Sequence, residues 1–194
     1  MKNTKHLDVG CGSKPRNPFN CEKLYGVDII DQVVDNFDYR KCNIVLDKLP
    51  FEDSTFDSLS AYDFLEHIPR FAVIGNETQF PFINFMNEAY RVLKNDGVFY
   101  AITPVYPRIE AFSDPTHINI ISKKTHRYFT APTHYGEMYG FTGKFEINRV
   151  KVIRVSQELK KCGKMKAFLK DILYSILYTK KGHILWEFRA IKDS

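Results

Sequence analysis

The chain of 194 residues has four cysteines, at 11, 21, 42 and 162, and they form neither a C-x-x-C pair nor any zinc-ligand spacing. That excludes a disulfide framework and a cysteine-based metal module, and all four read as free thiols in a reducing cytoplasm. No apolar run reaches the length of a membrane span, and a signal peptide is not expected, because the first predicted strand begins at residue 6. A strong charge of one sign is also missing. Twenty-eight basic against 23 acidic residues give a net charge of +5, too mild to mark a polyanion-binding protein. The basic stretches KKCGKMK (160 to 166) and TKK (179 to 181) lack interleaved aromatics and read as solvated surface, so no nucleic-acid module is identified. Glycines are short in two patterns. G-x-G-x-x-G fails because Pro15 stands at the third position, and G-x-x-x-x-G-K-[ST] is absent, which excludes a pyrophosphate fingerprint and a phosphate-cradling loop.

What is present begins at once. LDVGCGSK (7 to 14) puts an apolar strand ending in Asp8 before a turn containing Gly10, Cys11 and Gly12, and YGVDI (25 to 29) ends a second strand in Asp28. Glycines suit a backbone that must turn sharply and let a ligand approach its N–H groups. Asp28, sixteen residues past Gly12, lies where a strand-tip carboxylate accepts hydrogen bonds from both hydroxyls of a ribose. The ligand class is therefore an adenosine derivative.

A hydrophobic content of 44% and an aromatic content of 14% argue against disorder, and the length suits one domain spanning 1–194. Period-two patterns predict strands at 6–9, 25–30, 38–44, 56–62, 98–103, 145–155 and 184–192. Apolar residues at 82, 83, 86, 89, 90 and 93, with Pro81 in front, predict a helix over 82–94. A second helix is predicted over 122–131. Pro15 and Pro18 make the first crossover a short helix or an irregular loop, since proline inside a helix costs about 3 kcal/mol. Alternation of strands and helices implies an α/β fold with a mostly parallel sheet and its ligand outside the carboxyl ends of the strands.

Four segments carry a resemblance. DVGCG places an acidic residue two positions before the first glycine. LPFEDSTFDSLSAYDFLEHI (49 to 68), NEAYRVLKNDGVFYAITP (87 to 104) and SDPTHINIISKKTHRYF (113 to 129) follow in order. Over roughly residues 5 to 130 the chain resembles the class I S-adenosylmethionine-dependent methyltransferases of the type 11 group. The resemblance implies S-adenosylmethionine as cofactor and a Rossmann-like, seven-stranded, mostly parallel sheet with an antiparallel last strand and helices on both faces. It also implies cofactor contacts from Asp8, Gly10, Cys11, Gly12, Asp28, Ile29, Asn43, Ile44, Tyr62 and His67. Asn43 stands where the family often has Asp, and its side-chain oxygen can still accept a hydrogen bond from adenine.

Methyl transfer from a sulfonium is an in-line displacement that asks mainly for positioning and desolvation. An oxygen or nitrogen acceptor adds a proton to be removed. His67, Tyr106, Asp114 and His117 are the candidates, with Asp114 and His117 taken as catalytic. His126 and His134 read as surface or packing residues, and no metal is called for. TPVY (103 to 106) looks superficially like the loop of amino-group DNA methyltransferases but stands after the wrong strand. With only MKNTK before the first strand, acceptor recognition is expected from insertions at about 105–140 and 156–183, or from a partner protein. The expected acceptor is a small molecule or glycan. The alternatives are a catalytically degenerate, cofactor-binding subunit acting through a protein partner, or an RNA or protein methyltransferase. Met165, Phe168, Leu169, Ile172, Leu173, Ile176 and Leu177 form one apolar stripe. It would pack on its own domain, cover the acceptor, form a homodimer through a 165–178 helix, or lie on a membrane.

Overall fold

Short apolar segments centred on Leu7, Val27, Leu59, Phe99, Val150 and Trp186 have enough β-branched and aromatic character to pair edge to edge. In the computed structural model, which describes residues 3–154 and 182–192, these six segments and a polar edge segment at 38–41 form one seven-stranded sheet. Its strands are β1 (Lys5–Val9), β2 (Lys23–Asp28), β3 (Asp38–Lys41), β4 (Phe56–Tyr62), β7 (Leu93–Pro104), β8 (Phe145–Ile153) and β9 (His183–Ala190). The order is β3-β2-β1-β4-β7-β9-β8. β9 alone runs antiparallel to its neighbours, as expected for this Rossmann-like architecture. β5 (Ala72–Ile74) and β6 (Glu77–Gln79) form a separate hairpin turned by Gly75 and Asn76, with Gly75 at φ +63°.

α1 (Pro81–Val92) is the only α-helix among the described residues. It starts on Pro81 as predicted and buries Phe82, Ile83, Phe85, Met86, Ala89 and Val92 against the sheet. Phe85 meets Phe99 of β7 edge-on. On the opposite face a smaller cluster joins Tyr62, Tyr100, Ile102, Ile153 and Leu185.

Several expectations need correction. Helices on both faces are not seen among the described residues, where the crossovers beside β1, β2 and β3 are irregular. The first is held by side chains instead. Asn17 both donates to the Cys21 carbonyl and accepts from the Cys21 N–H, at 2.9 Å each. The predicted helix over 122–131 is one 3-10 turn, Thr125–Tyr128. Thr130 is drawn off into a bridge with Phe145, which stops helical propagation. The strand predicted over 38–44 ends at Lys41, because the Asn43 carbonyl accepts from Leu46 and Asp47 in a tight turn. α1 ends at Val92 and β7 begins at once, with Lys94 to Gly97 bulged out of register. Residues 156–181, including the apolar stripe, lie outside the described residues.

Candidate functional site

The carboxyl ends of β1, β2 and β4 meet at a cleft of about 330 Å³. Gly10 and Gly12 turn the chain there with φ of +68° and +53°, values that glycine adopts without a Cβ penalty. The N–H groups of Gly10 and Cys11 both reach the Val27 carbonyl. A Cβ on Gly10 would lie 2.4 Å from the Phe64 ring, whereas one on Gly12 would meet nothing within 4 Å. Gly10 is thus fixed by packing as well as by conformation.

Asp28 is held by backbone donors. Its Oδ2 accepts from Gly12 N–H at 2.9 Å, and its Oδ1 accepts from Ile29 N–H at 2.7 Å and Ile30 N–H at 3.3 Å. The carboxylate is therefore aimed before a ligand arrives. Opposite it, Asn43 accepts the Val45 N–H on Oδ1 at 3.2 Å, which leaves the second lone pair of that oxygen and the Nδ2 donors for a base edge. Val27, Ile44, Phe64 and Ile68 supply apolar walls. A carboxylate, an amide and flat apolar walls match a nucleoside: ribose at one end, a planar base at the other.

Gly10, Asp28, Ile29, Asn43, Ile44 and His67 all line this cleft. Gly12 acts through its bond to Asp28. Asp8, Cys11 and Tyr62 are placed elsewhere. Asp8 is fully buried beneath the turn, accepting Arg16 N–H at 2.8 Å and Ser60 O–H at 2.5 Å. The Cys11 side chain packs toward Gly26, and burial pushes its thiol up to about 12, so it stays protonated. Tyr62 belongs to the cluster on the other face, with the Arg16 guanidinium 4.5 Å from its ring centre.

A second group of polar side chains adjoins the cleft. Glu66, which sequence reasoning passed over in favour of its neighbour His67, is buried with Oε2 accepting Thr103 O–H at 2.8 Å and Oε1 without a hydrogen-bond partner among the described residues. Burial raises its pKa. Its carbonyl accepts the N–H groups of Ile118 and Asn119, which anchors the DPTH loop. In that loop Asp114 Oδ1 accepts both Thr116 N–H at 2.8 Å and Thr116 O–H at 2.6 Å, bonds that lower the Asp114 pKa. Thr116 Oγ1 in turn lies 3.0 Å from His67 Nδ1. His117 sets its Nε2 3.9 Å from Glu66 Oε1 and 4.0 Å from Asp114 Oδ2, and its ring is 4.9 Å from that of His67. The structure therefore brings Asp114, His117 and His67 together, and adds Glu66. Tyr106 is half-exposed and edge-on to Phe112. His126 and His134 are partly buried in the 125–139 segment.

From the same segment opens a cavity of about 410 Å³ with aromatic walls, among them Phe80, Phe82, Phe129 and Tyr139, and with Arg70 and Lys124 at its edge. Arg70 Nε donates to Asn119 Oδ1 at 2.8 Å, and Asn119 Nδ2 donates to the Leu65 carbonyl at 3.0 Å. The loop that carries His117 thus lines this cavity through Asn119 and touches His67, which lines the cleft.

A family described as a methyltransferase domain matches residues 7–101. Among solved structures, a putative methyltransferase from Bacillus halodurans is 18% identical at a TM-score of 0.58, over 99% of this chain and 95% of that one. The complex of the Haloferax volcanii Trm112 methyltransferase activator with a putative methyltransferase gives 15% identity and a TM-score of 0.62, over 99% and 84%. Phosphoethanolamine N-methyltransferase 1 of Haemonchus contortus, solved with phosphoethanolamine and S-adenosylhomocysteine, gives 10% and 0.59, over all of this chain but 40% of that one. No protein of curated function matches the chain in sequence.

Proposed function

Because the chain is a class I S-adenosylmethionine-dependent methyltransferase of the type 11 group, we propose that it methylates an oxygen or nitrogen atom of a small molecule or glycan. The observation that carries this reading is the corner where buried Glu66 and nearly buried His117 meet the half-exposed Asp114 beside His67, the residue that lines the cleft. Bound S-adenosylmethionine supplies an activated methyl group on a good leaving group. The protein's own residues do the rest. Asp28 holds the ribose hydroxyls, Asn43 meets the base, and the apolar walls keep water out. Asp114 and His117 orient the acceptor through its O–H or N–H, and Asp114 takes its proton. The aromatic cavity edged by Arg70 and Lys124 suits an apolar or sugar-like acceptor body carrying a negative group.

Three measurements test this. Titration calorimetry with S-adenosylhomocysteine is expected to show at least a tenfold loss for Asp28→Ala, since a charge-assisted hydrogen bond contributes about 1.5–3 kcal/mol. Unchanged affinity would remove Asp28 from ribose recognition. A metabolite screen scoring S-adenosylhomocysteine release identifies the acceptor. With that acceptor, His117→Ala is expected to turn over at least tenfold more slowly while cofactor affinity stays within a few-fold. Parallel loss of stability and activity would make His117 structural.

The Trm112 complex favours one second reading, a subunit that needs a protein partner. Turnover by the chain alone decides against it, and turnover only after a partner is added decides for it. Among the described residues no helix is long and apolar enough to cross a membrane.

A further inference from the structure

Glu66, His67 and His117 each offer one ligand atom within 4.8 Å of the other two. We infer that these three residues bind one divalent transition-metal ion, which fixes and acidifies the oxygen of a hydroxyl-bearing acceptor beside the cofactor cleft. The inference rests on the reading of this corner as the acceptor site, and it narrows the acceptor atom to oxygen.

Unsatisfied chemistry is the first support. Glu66 is 2% exposed, yet its Oε1 has no hydrogen-bond partner among the described residues. His117 is nearly buried, and among the described residues neither of its ring nitrogens has one either; Nδ1 is sealed from solvent. At 3.9 Å the pair is too far apart for a direct hydrogen bond. A buried acceptor atom facing a buried imidazole across such a gap is what a shared cation satisfies. Ligand bonds of about 2.0–2.2 Å place neighbouring donors about 3–3.5 Å apart, so side-chain rotation of about an ångström closes the set.

Tautomer control is the second. Thr116 gives its hydroxyl hydrogen to Asp114 Oδ1, so its oxygen accepts from His67 Nδ1–H. That leaves the lone pair of His67 on Nε2. A carboxylate and hydroxyl behind an imidazole, setting which nitrogen can bind metal, is the usual outer support of a histidine ligand.

Two imidazoles and one carboxylate suit zinc, iron, cobalt or manganese rather than calcium or magnesium, and leave coordination positions open. An alcohol, phenol or hydroxy acid oxygen fits there. Bound to the cation its O–H becomes more acidic. The proton passes to Asp114 Oδ2, which is outside the ligand set, while the electron pair of the O–H bond stays on the acceptor oxygen. Asp114 then releases the proton to solvent, to which it is half-exposed.

The test titrates cobalt(II) into chelator-treated full-length protein and follows the visible absorption of the bound ion. One equivalent is expected to bind, with affinity at least tenfold weaker in Glu66→Gln and in His117→Ala. S-adenosylhomocysteine affinity in the same samples reports folding. Should His117→Ala fail to fold, Glu66→Gln stands alone, since the amide oxygen still accepts from Thr103. No saturable binding up to millimolar cobalt, or equal affinity in both variants, overturns the site. Loss of S-adenosylhomocysteine binding by the wild-type protein would overturn the cofactor reading instead and leave the cobalt result standing.

Discussion

Gly10→Ala is expected to be among the most damaging single substitutions in the cofactor cleft. Alanine at φ +68° costs about 1–2 kcal/mol, and its Cβ would sit 2.4 Å from the Phe64 ring, an overlap whose relief costs about 1–3 kcal/mol more. The sum, about 2–5 kcal/mol, is a large part of the stability of a domain this size. Relief also pushes Phe64 across the cleft that it lines, so S-adenosylhomocysteine binding should fall further than stability alone requires. Gly12→Ala separates the two causes. It shares the positive φ but meets nothing within 4 Å, and is expected to lose only about 1–2 kcal/mol. In a Phe64→Ala background the cost of Gly10→Ala should drop to that same value. Denaturant midpoints of the four variants check this. Equal losses for Gly10→Ala and Gly12→Ala would show that the ring yields freely.

The turn around Gly10 was legible because a backbone constraint leaves its mark in residue type. DVGCG and YGVD announced strand tips, a positive-φ turn and a carboxylate, and the structure puts Gly10, Asp28, Ile29, Asn43, Ile44 and His67 on one cleft. Burial is less visible in a sequence. Asp8 looked like a ligand because it is acidic and adjacent to the turn, but its side chain is fully buried, and Arg16 N–H and Ser60 O–H use both its oxygens. Glu66 was missed for the opposite reason. A glutamate beside a histidine in LEH reads as solvated, and only the return of the DPTH loop, 48 residues on, buries it.

Helices were over-predicted wherever local bonding competes with propagation. SKKTHRYF has a plausible helical pattern, yet Thr125 Oγ1 accepts the Ser122 N–H at 2.9 Å and Thr130 Oγ1 donates to the His126 carbonyl at 3.1 Å. Such side-chain bonds offer the backbone an alternative to a continued helix. The β5–β6 hairpin had a readable signal that was passed over: Gly-Asn between two short β-prone segments.

His6 appeared in no motif, yet it sets the pH behaviour of the sheet. Its Nδ1 lies 2.7 Å from Ser58 Oγ and its Nε2 2.8 Å from Ser60 Oγ, and the same Ser60 donates to Asp8 at 2.5 Å. Burial lowers the His6 pKa from 6.5 to about 4, and burial raises the Asp8 pKa from 3.8 to about 6. At neutral pH the buried chain therefore holds a neutral imidazole and an ionised carboxylate. At about 1.4 kcal/mol per unit, each contributes on the order of 3 kcal/mol, with opposite signs. The His6 contribution is present above pH 6.5 and is lost as pH falls toward 4, because the unfolded state binds the proton more readily. The Asp8 contribution is present below pH 3.8 and is lost as pH rises toward 6, because the folded carboxyl holds its proton longer. Between pH 4 and 6 the two nearly cancel in the wild-type protein. Removing one exposes the other. Relative to wild type, His6→Gln is expected to lose stability as pH rises from 4 to 6, and Asp8→Asn to gain it over the same range, each by about 2–3 kcal/mol. Urea unfolding at pH 4, 5 and 6 measures both slopes. If the two variants change in the same direction, Ser60 does not join two groups of opposite linkage, and the acid response of the protein arises elsewhere.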